Sequence, residues 1–493
     1  MALPTHKTKL VCTIGPASDS PEILTKMVQA GMNIARLNFS HGDFSGHKVS
    51  IDALRTAADR AGRRVTIMAD LPGPKMRIGE LEKEPIELQC GAPFTLTTQQ
   101  IIGDEKRVFV NFPRLPAVVK QGDILFLNDG IIHLEVVSVE CEEVRCRVLV
   151  GGELSSHKGV NLPGIDLGVS AFTKHDHDCL KFALENGVNA ISQSFVETSA
   201  DIVAVRSAAA ALGYHPFIIA KIERAGALDH IDDILQAADG IMVARGVLGV
   251  ETPLERIAVV QKELIHRANR LGKPVITATQ MLESMVDHYR PTRAESTDVA
   301  NAILDGTDCV MLSEESAMGK FPVEAVAMLA RIATVTEPYR TASCDHDIFA
   351  DYHLLKDAHL VGLISRNVQQ SVALLAPTAV IVPTASGFTA RMISRFKLPV
   401  WIAGVSPHDA TCHGLQFSYG VSPVHLPEEC SDWNGFARTW VGSEGLPEGL
   451  IVLTAGSSCR HPQTNPRLEI IDLRPGVSAS CSPAGTTVQG RRS

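Results

Sequence analysis

Short apolar runs recur along the chain, and each is followed by a polar or glycine-rich turn and then by a stretch with helical periodicity. Several runs are apolar on both faces, which is typical of strands of a parallel sheet that is buried on both sides. Alternating strand and helix patterns predict an α/β fold, and eight such units predict a (β/α)8 TIM barrel, with a doubly wound open sheet as the alternative. The eight runs are residues 9–15, 32–40, 64–74, 188–195, 216–223, 240–246, 273–280 and 308–316.

Between the third and fourth runs, the pattern changes from alternating helix and strand to strand alone. This change predicts a small all-β domain at residues 72–168, inserted into a barrel formed by residues 1–71 and 169–340. Because the insertion follows the C-terminal end of a strand, we expect it to act as a lid. Its predicted strands lie within residues 85–98, 107–112, 123–140 and 143–154.

The chain after the barrel divides into three segments of different composition. Residues 341–354 are polar and predict a linker, and residues 355–475 mix helical and strand patterns, which predicts a C-terminal α/β domain. Residues 476–493 are small and polar and predict a disordered tail. In the C-terminal domain, the stretch PTASGFTAR (383–391) leads into a helix and predicts an anion-binding loop, with a glycine turn and helix cap as the alternative. The candidate anion ligands are Thr384, Ser386, Gly387 and Thr389.

The overall charge and the cysteines limit the kinds of partner and compartment. The 493 residues carry a net charge of −9, which argues against nucleic acid or an anionic membrane as the main partner, because both favour a basic surface. The 11 cysteines include no Cys-x-x-Cys pair, so neither a disulfide framework nor a zinc site is predicted. We therefore expect a reducing, cytoplasmic location. No apolar run approaches the roughly 18 residues that a membrane span needs.

Side chains that can bind phosphate, carboxylate or metal follow the ends of most predicted strands. In a (β/α)8 barrel the C-terminal strand ends form the active site, so we expect these side chains to converge. Arginine matches phosphate and carboxylate oxygens, carboxylates bind magnesium, and lysine neutralises charge on a transferring phosphoryl group or an enolate. A single Lys-x-Glu on a strand usually reflects only the alternation of side chains on a surface strand. Because such side chains recur at the ends of most predicted strands, the whole set favours a site for a phosphorylated, carboxylated substrate and a divalent cation. The side chains are those of Arg36, Asn38, Ser40, Asp70, Lys75, Arg77, Ser194, Lys221, Glu223, Arg245, Thr277, Thr279, Ser313 and Glu314.

Long motifs from several of these strand ends occur together in one enzyme family. They include TKLVCTIGPAS (8–18), MNIARLNFSHG (32–42), ADLPGPKMRIG (69–79), IIAKIERA (218–225), KPVITATQMLESM (273–285) and DVANAILDGTDCVMLSEESAMGKFPVEAV (298–326). On these motifs the chain resembles pyruvate kinases over nearly its whole length. The resemblance implies the glycolytic transfer of a phosphoryl group from phosphoenolpyruvate to ADP, which gives pyruvate and ATP. It also implies a requirement for magnesium or manganese and a homotetramer.

The resemblance further assigns roles to individual residues. Arg36 and Lys221 would contact the substrate phosphoryl group, and Lys221 would also stabilise the enolate oxygen. Thr279 would lie near the substrate carboxylate and help to relay a proton to the enolate carbon. The backbone that would hold this carboxylate belongs to Ala244, Arg245 and Gly246. The remaining assignments are magnesium to Glu223; nucleotide phosphates to Arg77 and Lys158, with His41 and Asn38 close by; and a monovalent cation to Asn38, Ser40, Asp70 and the carbonyl oxygen of Leu71.

Two positions depart from the family pattern. Lys75 stands where many pyruvate kinases have glutamate and need potassium, so we expect its ammonium group to replace the ion; plain exposure to solvent is the alternative. Val247, in ARGVLG, stands where the family motif ARGDLG has a second magnesium carboxylate. Valine cannot bind a cation, so weaker metal binding is expected unless water fills the position. Glu251 is the nearest acid in the sequence, but the family has a glutamate there too, so it is no obvious compensation.

Three functions follow from these observations. The retained residues favour an active pyruvate kinase, and because a similar C-terminal loop in the family binds phosphorylated effectors, residues 383–391 are also a candidate effector site. Val247 leaves open a catalytically impaired relative that binds metabolites as a regulatory protein. A more distant alternative is another barrel enzyme that handles enolates with magnesium, such as an aldolase-type lyase. The inserted β domain and the C-terminal domain count against that alternative.

Overall fold

The chain folds into a closed barrel, a β domain inserted into it and a C-terminal α/β domain. The computed structural model describes residues 3–340, 359–455 and 467–475. The predicted linker (341–354) and the predicted tail (476–493) lie outside the described residues. In the part of the chain that the structure describes, no helix combines the length and the apolar composition that crossing a membrane requires.

The N-terminal elements start the barrel. They are β1 (Lys9–Thr13), α1 (Pro21–Ala30), β2 (Met32–Asn38), α2 (Phe44–Ala61) and β3 (Thr66–Leu71). Helix α1 begins at Pro21, whose fixed backbone suits the first helical position, and the Ser20 side chain accepts a hydrogen bond from the Ile23 amide. The helix ends at Gly31, whose φ of 127° is open to glycine but strained for other residues. Local capping therefore sets both ends of α1 and the start of the next strand.

The inserted domain is built mainly from antiparallel strands. Its elements are β4 (Ile86–Leu88), β5 (Pro93–Thr97), β6 (Arg107–Phe109), α3 (Leu115–Val118), β7 (Ile124–Leu127), β8 (Ile132–Glu140), β9 (Glu143–Val150), β10 (Gly152–Leu154) and β11 (Val160–Asn161). Six of the strands form one sheet in the order β11-β7-β8-β9-β5-β6, and β10 pairs with β4. Alternate residues face the core, as in β9, where Val144, Cys146 and Val148 are buried. The period-two pattern thus gives this domain a core of its own.

The chain then completes the barrel. Its elements are α4 (Lys174–Glu185), β12 (Ala190–Gln193), α5 (Ser199–Ala211), β13 (Phe217–Ile222), α6 (Ala225–Asp229), α7 (Ile231–Ala237), β14 (Gly240–Ala244), α8 (Arg245–Glu251), α9 (Ile257–Arg270), β15 (Val275–Ala278), α10 (Arg293–Leu304), β16 (Cys309–Leu312), α11 (Glu314–Ala317) and α12 (Pro322–Thr336), with short 3-10 turns at Leu254–Arg256, Glu283–Val286 and Glu337–Tyr339. The parallel barrel strands follow the order β1-β16-β15-β14-β13-β12-β3-β2. Because β1 pairs with both β16 and β2, the sheet closes and the open doubly wound alternative is excluded.

The C-terminal domain is a five-stranded sheet flanked by helices. Its elements are α13 (His359–Leu375), β17 (Ala379–Pro383), α14 (Phe388–Ser394), β18 (Trp401–Ser406), α15 (Asp409–Leu415), β19 (Val421–His425), α16 (Trp433–Ser443), β20 (Leu450–Ala455) and β21 (Arg467–Asp472). The strand order is β19-β18-β17-β20-β21, and β21 alone runs antiparallel to its neighbour within this sheet. The prediction of a (β/α)8 barrel with an inserted β domain and a C-terminal α/β domain is confirmed.

The C-terminal domain covers the N-terminal ends of the barrel strands. Phe417, between α15 and β19, is buried in the same cluster as the side chains inside the barrel. Its ring stacks on Phe217, the first residue of β13, with the ring centroids 5.2 Å apart. Nearby, Lys397 pairs at 2.5 Å with Asp308, the residue before β16, and both side chains are almost fully buried. This packing leaves the opposite, C-terminal end of the barrel for a site.

Candidate active site

A polar layer of side chains lies above an apolar layer inside the barrel. Side chains alternate along each strand, so residues two positions apart face the same side. The apolar layer includes Val11, Ile34, Met68 and Ile219. Two positions later, the same four strands carry Thr13, Arg36, Asp70 and Lys221. Strand periodicity therefore brings the two predicted phosphoryl-binding cations to one end of the barrel, together with a carboxylate.

Asp70 lies between these two cations and is only 1% exposed. Its Oδ2 accepts hydrogen bonds from Arg36 Nε at 2.9 Å and Nη2 at 2.5 Å, and lies 3.4 Å from Lys221 Nζ. Burial alone would raise the pKa of Asp70, but the charges of Lys221 and Arg36 outweigh burial and hold the pKa below its ordinary value. Asp70 is therefore an ionised counter-ion shared by both cations. Arg36 Nη1 also donates to Thr13 Oγ1 at 2.9 Å, a contact that the sequence did not indicate.

Lys221 connects this pair to Glu223, the predicted magnesium ligand. Lys221 Nζ donates to Ser194 Oγ at 2.7 Å and lies 3.4 Å from Glu223 Oε2. The other oxygen of Glu223, Oε1, accepts a hydrogen bond from the Phe195 amide at 2.7 Å. Phe195 has a φ of 58°, a strained value of the kind that clusters at functional sites. This amide contact could not be predicted, because it depends on backbone conformation rather than on residue type.

Lys75 adds a further positive charge beside the cluster. Burial, and after it the charge of Lys221, lower the pKa of Lys75 to about 8, while the charges of Asp70 and Glu223 act in the opposite direction. Burial, followed by the charges of Lys75 and other nearby cations, also lowers the pKa of His41. These interactions and the half-buried position of Lys75 do not support the alternative in which Lys75 simply faces solvent.

The residues predicted to hold a monovalent cation lie at the adjacent ends of β2 and β3. Asn38 pairs in register with Asp70, and the Asn38 Oδ1 accepts a hydrogen bond from the Ser40 amide at 3.2 Å. Leu71 follows directly as the last residue of β3. The carboxylate of Asp70 is already engaged by Arg36 and Lys221, so its charge is compensated without a bound ion.

The predicted carboxylate-binding backbone lies where β14 turns into α8. The Gly246 amide donates to Thr279 Oγ1 at 2.8 Å, and that hydroxyl donates to the Ala278 carbonyl oxygen at 2.7 Å. Thr279 has a φ of 67°, which is rare for a β-branched residue. The structure thus brings Gly246 and Thr279 into direct contact, and strained backbone holds the threonine.

The guanidinium group of Arg245 is used to fix this turn. It pairs with Asp298, on α10, at 2.7 Å, and donates to the carbonyl oxygens of Ala278 at 3.2 Å and Thr279 at 2.8 Å. Only the backbone of Arg245 is therefore left for the predicted contact with the substrate carboxylate. Asp298 was missed in the sequence, because it lies on a helix far along the chain.

Val247 lies in the first turn of α8 and offers no oxygen to a metal. The other end of this helix carries Glu251, whose Oε2 is buried and has no hydrogen-bond partner in the part of the chain that the structure describes. Burial raises the pKa of Glu251, while the charge of Arg224 and hydrogen bonds from the amides of Ala225 and Gly164 act against this rise. Glu251 thus contacts the start of α6 and the end of the inserted domain. It does not replace the carboxylate that Val247 lacks.

Arg77 and Lys158, the predicted nucleotide-binding cations, lie where the chain enters and leaves the inserted domain. Arg77 forms an antiparallel bridge with Gly159, and the Lys158 carbonyl oxygen accepts a hydrogen bond from the Ile78 amide at 2.9 Å. The charge of Arg77 also acts on His41. Segments that are distant in sequence therefore bring these cations to neighbouring backbone positions, near the barrel cluster.

Of the two carboxylates at this site, that of Asp70 is held by Arg36 and Lys221, which leaves Glu223 as the predicted magnesium ligand. Among residues 3–340, 359–455 and 467–475, no group of three or more histidine, cysteine, aspartate or glutamate side chains is arranged to hold a metal. Magnesium commonly takes one or two protein carboxylates and completes its coordination with water and substrate phosphate. The donor set fits a magnesium ion that the substrate helps to bind, and does not fit a site that protein atoms complete.

The loop with the candidate effector residues caps α14. The Gly387 amide donates to Thr384 Oγ1 at 2.9 Å, and the Phe388 amide donates to Ser386 Oγ at 3.5 Å. Gly387 has a φ of 78°, which a glycine adopts without strain. The glycine turn and helix cap account for these contacts, and the effector role of Thr384, Ser386, Gly387 and Thr389 stays a prediction.

Comparisons with known proteins agree with the barrel and C-terminal domains of this fold. Residues 5–326 match the family model of the pyruvate kinase barrel domain, and residues 363–471 match that of the pyruvate kinase alpha/beta domain. A pyruvate kinase of Thermococcus litoralis is 47% identical over 433 residues, which cover 88% of this chain and 91% of that protein. One from Staphylococcus saprophyticus is 42% identical over 459 residues, or 92% of this chain and 78% of that protein. The crystal structure of a pyruvate kinase from Cryptosporidium parvum matches with a TM-score of 0.86 and 34% identity, over 95% of this chain and 97% of that chain. The chain therefore belongs to the pyruvate kinase family.

Proposed function

We propose that this chain is a pyruvate kinase, which transfers the phosphoryl group of phosphoenolpyruvate to ADP and forms pyruvate and ATP. The observation that carries the proposal is the buried cluster of Arg36, Lys221, Asp70 and Glu223, at the C-terminal end of a barrel that matches this family. The additional match of the C-terminal domain leaves an aldolase-type lyase without support.

In the transfer, an oxygen of the ADP β-phosphate attacks phosphorus while the bond from phosphorus to the enol oxygen breaks. The electron pair of that bond stays on the enol oxygen. Arg36 and Lys221 neutralise the charge on the transferring oxygens, and Lys221 also neutralises the enolate oxygen. Asp70 holds both cations in position before substrate binds, so they need little reorganisation. Arg77 and Lys158 bind the nucleotide phosphates, with His41 and Asn38 nearby.

The enolate then takes a proton at its terminal carbon and becomes pyruvate. Thr279 is the proposed relay for this proton, because its hydroxyl already takes part in hydrogen bonds to Gly246 and Ala278. The backbone from Ala244 to Gly246 binds the substrate carboxylate, which fixes the enolate carbon relative to Thr279. The side chain of Arg245 acts on this step only by fixing the turn.

The family implies a divalent metal, and we propose magnesium, or manganese, bound through Glu223. Glu223 would hold the ion, which would supply positive charge to offset that of the substrate oxygens. The neighbouring contacts of Glu223 to the Phe195 amide and Lys221 hold the carboxylate in place before binding.

We also propose that potassium is not required, because the ammonium group of Lys75 supplies the positive charge of a monovalent cation beside Asp70. The test is Lys75→Glu, assayed in potassium and in tetramethylammonium salts. Lys83→Glu makes the same charge change at an exposed position and serves as the control. We expect only Lys75→Glu to require potassium. Full activity of Lys75→Glu without potassium would overturn this proposal.

The alternative of a catalytically impaired relative rests on Val247 alone. Arg36, Lys221, Glu223 and Thr279 are all present. Arg36 and Lys221 share Asp70, Lys221 lies 3.4 Å from Glu223, and Thr279 accepts a hydrogen bond from the Gly246 amide. A chain released from catalysis need not keep them. A coupled assay of pyruvate formation from phosphoenolpyruvate and ADP distinguishes the two functions, because a metabolite-binding protein would bind phosphoenolpyruvate and form no pyruvate.

The family resemblance also leads us to propose a homotetramer and a phosphorylated effector. Light scattering tests the oligomeric state directly. In the candidate effector loop, the amides of Gly387 and Phe388 donate to the hydroxyls of Thr384 and Ser386. An anion bound at the start of α14 could accept from the same amides. Thr384→Ala with Ser386→Ala should abolish any activation by sugar phosphates while leaving unstimulated activity in place. Activation that survives both changes would place the effector elsewhere.

A further inference from the structure

Before substrate binds, the protein offers few oxygen ligands to a metal at this site. Glu223 supplies one carboxylate, of which Oε1 accepts the Phe195 amide at 2.7 Å and Oε2 lies 3.4 Å from Lys221 Nζ. Val247 supplies none. A divalent cation entering the free protein would therefore have to compete with an ammonium group for the remaining oxygen.

The neighbouring acids cannot make up the deficit, because each is committed. Asp70 Oδ2 is held by Arg36 and Lys221. Glu251 is half-buried and its carboxylate is stabilised by the charge of the buried Arg224, although its Oε2 has no hydrogen-bond partner among the described residues. Moving either carboxylate to the metal would leave buried positive charge without its partner, which is costly.

The charge around the site also opposes a free cation. Four cationic side chains lie near it, against the two carboxylates of Asp70 and Glu223. The four are Arg36, Lys75, Arg77 and Lys221. The two family departures act in the same direction, because Lys75 adds a positive charge and Val247 omits a negative one. The excess of positive charge repels a divalent cation and attracts an anionic substrate.

We propose that phosphoenolpyruvate assembles the metal site of this chain: the free protein has little affinity for a divalent cation, and the ion binds once the substrate is present. The inference rests on the proposed function, because it requires this substrate at this cluster. The carboxylate and phosphate of phosphoenolpyruvate supply both the missing oxygens and the negative charge that offsets the cations. An aspartate at position 247 would let the protein bind the ion alone.

The test is a titration of each protein with Mn²⁺, in which electron paramagnetic resonance measures the free ion, with and without phosphoenolpyruvate and in the absence of ADP. The variants are Val247→Asp and, as control, Val259→Asp, which introduces the same charge at a 52% exposed position on α9. Phosphoenolpyruvate without protein corrects for its own binding of Mn²⁺. We expect Val247→Asp to bind Mn²⁺ at least about tenfold more tightly than the unaltered protein when substrate is absent. Substrate should then raise the affinity of the unaltered protein more than that of Val247→Asp, and Val259→Asp should match the unaltered protein.

Two results would overturn the inference: equal Mn²⁺ affinity of the free unaltered protein and Val247→Asp, or no gain in affinity on adding phosphoenolpyruvate. Glu223→Gln should lose the substrate-dependent binding, and its retention would place the ion elsewhere. A parallel assay of pyruvate formation separates this inference from the proposed function. Tight binding to the free protein together with turnover overturns only the inference, whereas absence of both substrate-dependent binding and turnover overturns the function as well.

Discussion

Replacing Asp70 by asparagine removes the charge at the centre of the site and keeps the shape of the side chain. Its Oδ2 lies 2.5 Å from Arg36 Nη2 and 3.4 Å from Lys221 Nζ, and the carboxylate is 1% exposed. The chain offers a matched control in Asp52, which lies at the same 2.5 Å distance from Lys48 Nζ but is 54% exposed. Each aspartate pairs with one arginine and one lysine at similar distances, and the two sites differ most in burial.

The expected magnitudes differ because of this burial. Removing one partner of a buried ion pair costs about 3–5 kcal/mol, since the remaining charge stays buried without compensation, whereas exposed pairs contribute about 0–1 kcal/mol. Burial raises the pKa of Asp70, but the charges of Lys221 and Arg36 lower it by a larger amount. The pKa of Asp70 in the folded protein is therefore below the unfolded value of about 3.9. Its contribution to stability is complete above that value and is lost as the pH falls through the folded pKa. Measurements at pH 7 therefore report the full effect.

Scanning calorimetry and steady-state kinetics at pH 7 measure the two consequences. We expect Asp70→Asn to lower Tm by about 3–5 °C in a chain of this length, and to lower kcat by about 100-fold because Arg36 and Lys221 lose their fixed positions. Asp52→Asn should change neither measurably. If Asp70→Asn kept the parent Tm and kcat, the role of Asp70 as a shared counter-ion would be refuted.

Three further predictions follow from other parts of the structure. Lys75 has a pKa of about 8, so potassium-independent kcat/KM should fall to about a tenth at pH 9 as the ammonium group loses its proton, and added potassium should restore it; a flat profile would contradict this. Thr279→Ala should lower kcat about 100-fold or more while Thr279→Ser keeps most of it, and equal kcat values would exclude the proton relay. Phe417→Ala should destabilise the protein by about 3–5 kcal/mol in thermal unfolding, whereas Leu374→Ala, at an 84% exposed position, should not; similar effects would show that Phe417 is not part of the barrel core.

The barrel could be predicted because its signal is local. Most of the parallel strands are rich in apolar residues, and several are followed by polar residues at a spacing of two. Because the C-terminal strand ends of a (β/α)8 barrel form its active site, the positions of Arg36 and Lys221 at strand ends predicted that they would converge. The fold class and this convergence therefore need little more than the strand pattern.

The partners of these side chains could not be predicted, because they depend on register between strands and on backbone conformation. Asp70 was expected beside a monovalent cation, yet its carboxylate is occupied by Arg36 and Lys221. Arg245 leaves the strand alternation as the first residue of α8, so its side chain meets Asp298 instead of the interior. These pairings decide which acidic side chains remain available to a metal, and only the three-dimensional structure shows them.

The most direct test of the central claim is a magnesium titration of pyruvate formation from phosphoenolpyruvate and ADP, without potassium, on the unaltered chain and on Val247→Asp. We predict turnover by the unaltered chain at millimolar magnesium, because Glu223 and the substrate together suffice to bind the ion. An unaltered chain that forms no pyruvate, with activity restored by Val247→Asp, would contradict this account and identify Val247 as the residue that disables the enzyme.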